Sequence, residues 1–273
     1  MKISVIIPSY KPFDYIYNCL ESLYTQDFEK SEFEIIVILN GCNSPYYEAI
    51  MDYNNKHNPG ICFKLFQTDT SGVSNARNIG INNSQGNYIA FIDDDDYVSQ
   101  YYLSGLYNTA MINDAMPLSY VISFNHDSKE KYDSYYTRSY KNVGKKVISD
   151  IYSVREYFLS SCFKLVSKNQ IGDFRFNVDF SNSEDALFMY SISRNVKRLC
   201  FADKNVVYYR RVRSSSVNYN YRNNGKTQIL FNELRVNWAI LKLWVKSPLQ
   251  YSFKYTVSRF LATFKGALVR FLK

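Results

Sequence analysis

With 273 residues, 46% of them hydrophobic and 17% aromatic, the chain is long enough to bury one large core, or one core with an appendage. Five cysteines (Cys19, Cys42, Cys62, Cys162 and Cys200) are odd in number, widely spaced and without a CxxC pair, which argues against a disulfide framework or a zinc site and predicts a reducing, cytoplasmic setting. The net charge of +8 belongs to the last stretch alone: residues 226–273 hold nine Lys or Arg and one acid, Glu233, whereas the first 225 residues balance 24 basic with 24 acidic side chains, which disfavours a nucleic-acid-binding protein.

The chain opens as Met-Lys and passes at once into Ile3-Ser4-Val5-Ile6-Ile7, which reads as a strand rather than a secretion signal. No window approaches the roughly 18 uninterrupted apolar residues of a membrane span. Further strands are predicted at Glu34 to Leu39, Cys62 to Phe66 and Tyr88 to Ile92, and helices at Asp14 to Tyr24, Ser44 to Lys56 and Gly72 to Asn82. This βαβαβαβ order predicts an α/β fold, a mostly parallel, Rossmann-like sheet flanked by helices. Its strand ends, at Pro8-Ser9-Tyr10, Asn40-Gly41 and Asp93 to Asp96, should gather in one cleft, where open α/β sheets bind ligands. Four consecutive carboxylates there repel one another by roughly 4 kcal/mol per pair at about 4 Å and an effective dielectric near 20, so a divalent cation would turn the crowding into a binding site. Taken alone, the run also fits a solvated acidic turn. No GxxxxGK[ST] or GxGxxG loop is present, which disfavours an ordinary ATPase or dinucleotide enzyme.

Beyond Asp96 the chain is rich in tyrosine, and residues 125–144 lack clean periodicity, predicting loop or short edge strands. Ser153 to Phe158 predicts a helix, and Phe174-Arg175-Phe176 a strand-like segment. Ser183 is placed to cap a helix whose first turn holds Glu184 and Asp185. A strand at Val206 to Tyr209 precedes the basic run Arg210-Arg211-Val212-Arg213-Ser214-Ser215-Ser216-Val217. From Leu249, the residues Phe253, Val257, Phe260, Leu261, Phe264, Leu268, Phe271 and Leu272 share one helical arc, with Lys254, Arg259, Lys265, Arg270 and Lys273 flanking or opposing it. Such a helix suits a membrane interface, and it equally suits packing on the preceding domain. His57 and His126 fall in no motif and read as structural or surface residues.

Two long segments carry a resemblance. Ile3 to Tyr10 looks like the opening strand of family 2 glycosyltransferases, and Ser71-Gly72-Val73-Ser74-Asn75-Ala76-Arg77-Asn78-Ile79-Gly80 followed by Gly86 to Asp96 resembles that family's donor-site signature. The resemblance implies a glycosyltransferase-A fold, a nucleotide-diphosphate sugar donor, most simply a UDP-sugar, and a Mn²⁺ or Mg²⁺ ion. It maps donor contacts onto Pro8, Tyr10, Asn40, Arg77, Asp93, Asp94 and Arg213, with Asp93 toward the ribose and Asp95 on the metal. It maps the general base onto Asp185, with Glu184 orienting it or binding acceptor hydroxyls and Asp179 in reserve. Asn40 departs from the acidic residues that relatives often carry after this strand; its amide both donates and accepts, leaving the base open. The implied organisation is a catalytic domain over 1–220, its donor half 1–100 and acceptor half 101–220, followed by a basic amphipathic tail over 221–273. The implied reaction is inverting, in a single displacement. The family's processive synthases carry a Gln-x-x-Arg-Trp element that is missing here, which implies one sugar per encounter. The implied acceptor is a glycan or lipid-linked glycan in surface polysaccharide synthesis, at the inner face of the cell membrane, reached through residues 249–273. The alternative is a catalytically inactive membrane-associated scaffold. Nothing in the sequence sets an oligomeric state.

Overall fold

A computed structural model describes residues 1–213 and 225–272. Strands β1 (Ile3–Ser9), β2 (Phe33–Asn40), β3 (Cys62–Thr68) and β4 (Tyr88–Phe91) alternate with helices α1 (Tyr15–Tyr24), α2 (Tyr46–His57) and α3 (Val73–Asn83). They form a parallel sheet in the order β3-β2-β1-β4, closed at its far edge by antiparallel β9 (Val166–Ser167). Every residue of β1 and β2 is buried, as expected of parallel strands covered on both faces.

One polar layer crosses this apolar sheet. Ser4 and Glu34 are register partners on β1 and β2, and the Ser4 hydroxyl donates to Glu34 Oε1 at 2.6 Å. The same carboxylate accepts from the Gln85 N–H at 2.6 Å and pairs with Lys64 of β3, also at 2.6 Å. Burial would raise the Glu34 pKa; the hydrogen bonds from Lys64, Ser4 and Gln85 outweigh it and hold the carboxyl below its usual range. The layer fixes the register of three strands and ties them to the α3–β4 turn.

The second half opens with β5 (Tyr97–Val98) and α4 (Tyr102–Asn113), then β6 (Met116–Leu118), β7 (Tyr120–Asn125), β8 (Lys131–Asp133) and α5 (Tyr135–Val143). After β9 come the short α6 (Lys168–Ile171), α7 (Glu184–Ser193), β10 (Leu199–Phe201) and β11 (Val207–Val212). A four-stranded sheet β5-β11-β7-β8 and a β10-β6 pair back the cleft. Helices α8 (Lys226–Lys246) and α9 (Phe253–Leu272) complete the described chain.

Several expectations are corrected. Residues 125–144 hold an expected short edge strand, β8, but also a helix, α5, opened by a capping box in which Ser134 and Thr137 satisfy each other's backbone N–H groups. The helix expected at 153–158 is a 3₁₀ segment, Ile151–Leu159, broken at Val154, whose φ of −129° is non-helical. Phe174 to Phe176 joins no ladder. Ser183 stands at the N-cap of α7 with φ 63°, and its side chain makes no capping hydrogen bond. The 220/221 boundary and Ser214 to Val217 lie outside the described residues.

One side of the tail packs on the domain, and an outer apolar arc is left exposed. The first turns of α9 pack on the domain: Tyr255 and Thr256 are buried, Thr256 shares a 2.8 Å hydrogen bond with Tyr190, and the Tyr255 ring lies 5.8 Å from that of Phe158. Phe253, Leu261, Phe264 and Leu268 on the outer arc are more than half exposed, at 66%, 62%, 72% and 51%. Among the described residues, no helix is long and apolar enough to cross a membrane.

Candidate active site

The carboxyl ends of β1, β2 and β4 converge. The Ser9 hydroxyl donates to Asp94 Oδ2 at 2.5 Å, and the Asn40 amide donates to the Ser9 carbonyl at 2.7 Å while accepting from the Gly72 N–H at 2.9 Å. Asn40 therefore knots β1, β2 and the start of α3 together. Both ends of its amide are engaged, so a contact with a nucleobase would fall to its remaining N–H. Gly41, at φ 69°, sits so close to Ser71 that a Cβ would come within 2.7 Å of the serine Cβ, which explains a glycine in this turn. Pro8 is buried in β1, and Tyr10 stands 53% exposed at the cleft rim with the Lys11 ammonium 5.3 Å from its ring.

The four aspartates have four different environments. Asp96 is buried, accepting from the Tyr208 hydroxyl at 2.7 Å and the Arg211 N–H at 2.6 Å. Tyr208 also accepts from the Asp93 N–H at 3.2 Å, so one phenol braces both ends of the run. Asp95 Oδ2 pairs with Arg213 at 2.6 Å, and its carbonyl accepts from Arg211 Nε at 2.6 Å. Arg213 also donates to the Tyr15 hydroxyl at 3.1 Å, clamping the aspartates to α1. The Asp93 side chain is 43% exposed, against 15% for Asp95.

Burial, then the neighbouring carboxylates, push Asp94 up to about 8 and raise Asp95 and Asp96 as well, the last well above its usual range. The aspartate run is thus short of positive charge. Asp93 Oδ2 and Asp95 Oδ1 accept no hydrogen bond among the described residues. No cluster of three or more His, Cys, Asp or Glu side chains among the described residues could enclose an ion by itself. This donor set fits a Mg²⁺-type ion that takes one or two protein carboxylates and fills its remaining positions with phosphate oxygens and water.

Arg77 joins the two halves of the site. Its guanidinium, 3% exposed, reaches Asp93 Oδ1 at 3.0 Å, Asp185 Oδ1 at 2.9 Å and Glu184 Oε1 at 3.4 Å, with its Cζ 5.3 Å from the centre of the Phe176 ring. Burial alone would lower its pKa; Asp185 and Asp93 raise it instead. Asp185 also accepts from the Ser161 hydroxyl at 2.8 Å. Glu184, crowded by burial and by Asp185, is raised to about 7 against the pull of Arg77. Asp179 is exposed and bonds only locally, its N–H donating to Asn177 at 2.9 Å.

Sequence reasoning missed Tyr15, Ser161 and Tyr208, and gave Ser9 and Arg211 only as members of a strand end and a basic run. None stands out in a one-dimensional pattern, because each acts through the register or packing of a distant element. His126 approaches the Arg211 guanidinium at 3.3 Å, and His57 stacks on Tyr53 at 4.4 Å.

A parallel sheet whose strand ends present an acidic run, faced across a buried arginine by a second carboxylate pair at a helix start, defines a protein of glycosyltransferase-A type. Residues 4–170 match the glycosyl transferase family 2, and the chain belongs to that family. It is 27% identical over 219 residues to glycosyltransferase GlyA of Streptococcus pneumoniae, covering 77% of this chain and 30% of that protein. It is 34% identical over 100 residues to the poly(ribitol-phosphate) beta-N-acetylglucosaminyltransferase TarS of Staphylococcus aureus, covering 37% of this chain and 17% of TarS. The chain thus spans less than a third of either relative. The crystal structure of S. aureus TarS residues 1–349 in complex with UDP-GlcNAc superimposes with a TM-score of 0.69 at 22% identity, over 88% of this chain and 67% of that one. That likeness establishes the fold.

Proposed function

We propose that the chain is an inverting, metal-dependent, non-processive glycosyltransferase that moves a sugar from a nucleotide-diphosphate sugar, a UDP-sugar, to a hydroxyl of a glycan or lipid-linked glycan in surface polysaccharide synthesis. The observation that carries this reading is Arg77, which holds Asp93 at 3.0 Å and Asp185 at 2.9 Å on one guanidinium and so sets a donor-side carboxylate opposite a base. Likeness to the S. aureus enzyme, whose structure holds UDP-GlcNAc, supports the choice of donor.

Residues 1–100 hold the donor and 101–220 the acceptor. Asp93 takes the ribose, Arg213 lies along the diphosphate, Asp94 contacts the donor from beside Ser9, and Pro8, Tyr10 and Asn40 bound the base. Asp95, with Asp93 beside it, would hold Mn²⁺ or Mg²⁺. When bound, the ion would offset the negative charge that grows on the departing diphosphate. Asp185 accepts the proton of the attacking hydroxyl, oriented by Ser161 and Arg77, and Glu184 binds acceptor hydroxyls. Attack in line with the leaving group inverts the anomeric centre with no covalent sugar intermediate. The basic tail over 221–273 places its exposed apolar arc against anionic lipid at the inner face of the cell membrane.

The test pairs a thermal-shift panel of UDP-, GDP- and dTDP-sugars, with and without Mn²⁺, with the Asp185→Asn variant. One UDP-sugar should stabilise the protein only with metal, and Asp185→Asn should keep that shift while losing turnover by about 10²–10⁴-fold. Indifference to every donor, or near-normal turnover in the variant, would overturn the assignment.

A further inference from the structure

The arginines of β11 and its end divide by strand alternation. Arg211 and Arg213 lie on the α1 side, with guanidinium carbons 5.8 Å and 4.7 Å from the Tyr15 ring, and both are engaged with Asp95. Arg210 shares the opposite face with Tyr208. That face looks toward α5: the Tyr208 ring lies 4.6 Å from Phe163, Phe163 lies 4.7 Å from Tyr136, and the Tyr135 hydroxyl donates to the Tyr136 hydroxyl at 2.7 Å.

Arg210 is half-buried, yet its side chain makes no hydrogen bond or ion pair among the described residues, whereas Arg77, Arg211 and Arg213 are each tied to a carboxylate or a carbonyl. Arg210 pairs in register with Ser123 of β7, two residues beyond the Tyr208–Val121 pair; the Val121 carbonyl accepts from Thr137 of α5 at 3.1 Å, and the neighbouring Arg211 N–H donates to Asp96 at 2.6 Å. The guanidinium therefore stands between the α5 tyrosines and the carboxylates of the cleft. None of its N–H groups is sealed from solvent, so the guanidinium is open to a ligand, and a planar fork of this kind suits a phosphate oxygen pair. An acceptor carrying negative charge would otherwise have to approach Asp93, Glu184 and Asp185, all of its own sign.

We propose that Arg210, with Tyr135 and Tyr136, forms an anion subsite on the acceptor side that takes a phosphate group of the acceptor next to its reactive hydroxyl. The proposal rests on the transferase reading for its direction, since it assigns the acceptor rather than the donor to this face. The same phosphate chemistry occurs in a phosphodiester-linked polymer and in a lipid-linked phosphate.

The experiment is calorimetric titration of the full chain, with and without saturating UDP and Mn²⁺, using glycerol 3-phosphate, glycerophosphoglycerol and, as a neutral control, glycerol. Wild-type protein should bind a phosphate probe but not glycerol, with or without UDP. Arg210→Gln should weaken that binding at least tenfold while leaving UDP affinity unchanged, and Arg210→Lys, which keeps the charge and guards against misfolding of the first variant, should fall between the two. A preference for the diester points to a phosphodiester polymer, and one for the monoester to a lipid-linked phosphate. Failure of wild-type protein to bind either probe, equal binding in Arg210→Gln, or displacement of the probe by UDP would overturn the subsite. Loss of UDP binding with an intact Arg210-dependent phosphate site would sink the donor assignment instead.

Discussion

One guanidinium answers three carboxylates at Arg77, and the balance is tight, because Glu184 is held near 7 by burial and by Asp185 even with that arginine 3.4 Å away. From about its usual 4.5 up to about 7, the folded chain keeps the Glu184 proton that the unfolded chain has already released. The fold therefore binds more protons across that window and loses stability as pH rises through it. The loss is complete above the folded pKa and amounts to roughly 3 kcal/mol at most, at about 1.4 kcal/mol per pKa unit. Asp94, raised to about 8, pushes in the same direction over a window reaching higher. Without donor or divalent ions, Glu184→Gln should match the parent at pH 5 and exceed it by roughly 1–3 kcal/mol at pH 8 in urea unfolding, since an amide cannot carry the offending charge. A parent whose stability is flat from pH 5 to 8, or a variant weaker than the parent at pH 8, would mean that the carboxylates are not crowded as described.

At the scale of elements, the first hundred residues were legible because their strands are apolar runs and their helices have apolar stripes; β1, β2, β3 and β4 fall within a residue or two of where the pattern places them. Beyond residue 100 the pattern was legible only in part: β11 and α7 fall where it places them, and α5 does not. Helix α5 buries Tyr136, Thr137 and Ser139, so its inward face is built of hydroxyl-bearing side chains rather than an aliphatic stripe. Glu184 and Asp185 were visible as residues, but their meeting with Asp93 depends on Arg77 crossing between halves, which no spacing announces. Gly86 holds the halves of the polar layer in contact. A Cβ there would lie 2.5 Å from both the Ile3 carbonyl carbon and the Ser4 nitrogen, and the Gly86 N–H donates to the Ser4 hydroxyl at 2.8 Å. Because the obstacle is backbone of the central strand, it cannot move aside as a side-chain tip would. Gly86→Ala should cost roughly 1–3 kcal/mol or more by overpacking, seen as an earlier urea midpoint with an unchanged slope. A midpoint equal to the parent's would show that β1 and the α3–β4 turn are less closely seated than drawn.

For the whole molecule, the question is what the outer arc of α9 faces. Removing residues 249–273 would not answer it, because Tyr251, Tyr255 and Thr256 are buried against the domain and their loss would open its core. Phe264 and Leu268 offer a cleaner change: both are more than half exposed, at 72% and 51%, on the arc that Lys254 and Lys265 flank. Burying a Phe or Leu side chain in the acyl boundary gives about 1.5–3 kcal/mol, and each basic group near anionic lipid adds about 1 kcal/mol. Phe264→Glu with Leu268→Glu removes two such burials and puts two acids beside the lipid, so partitioning should fall more than a hundredfold. The wild-type chain should float with vesicles containing anionic lipid and much less with neutral ones, the double variant should stay in the soluble fraction, and both should unfold at the same temperature, since neither side chain supports the core. Flotation that survives the double substitution, or that ignores lipid charge, would place the membrane contact elsewhere and leave the arc free for another surface.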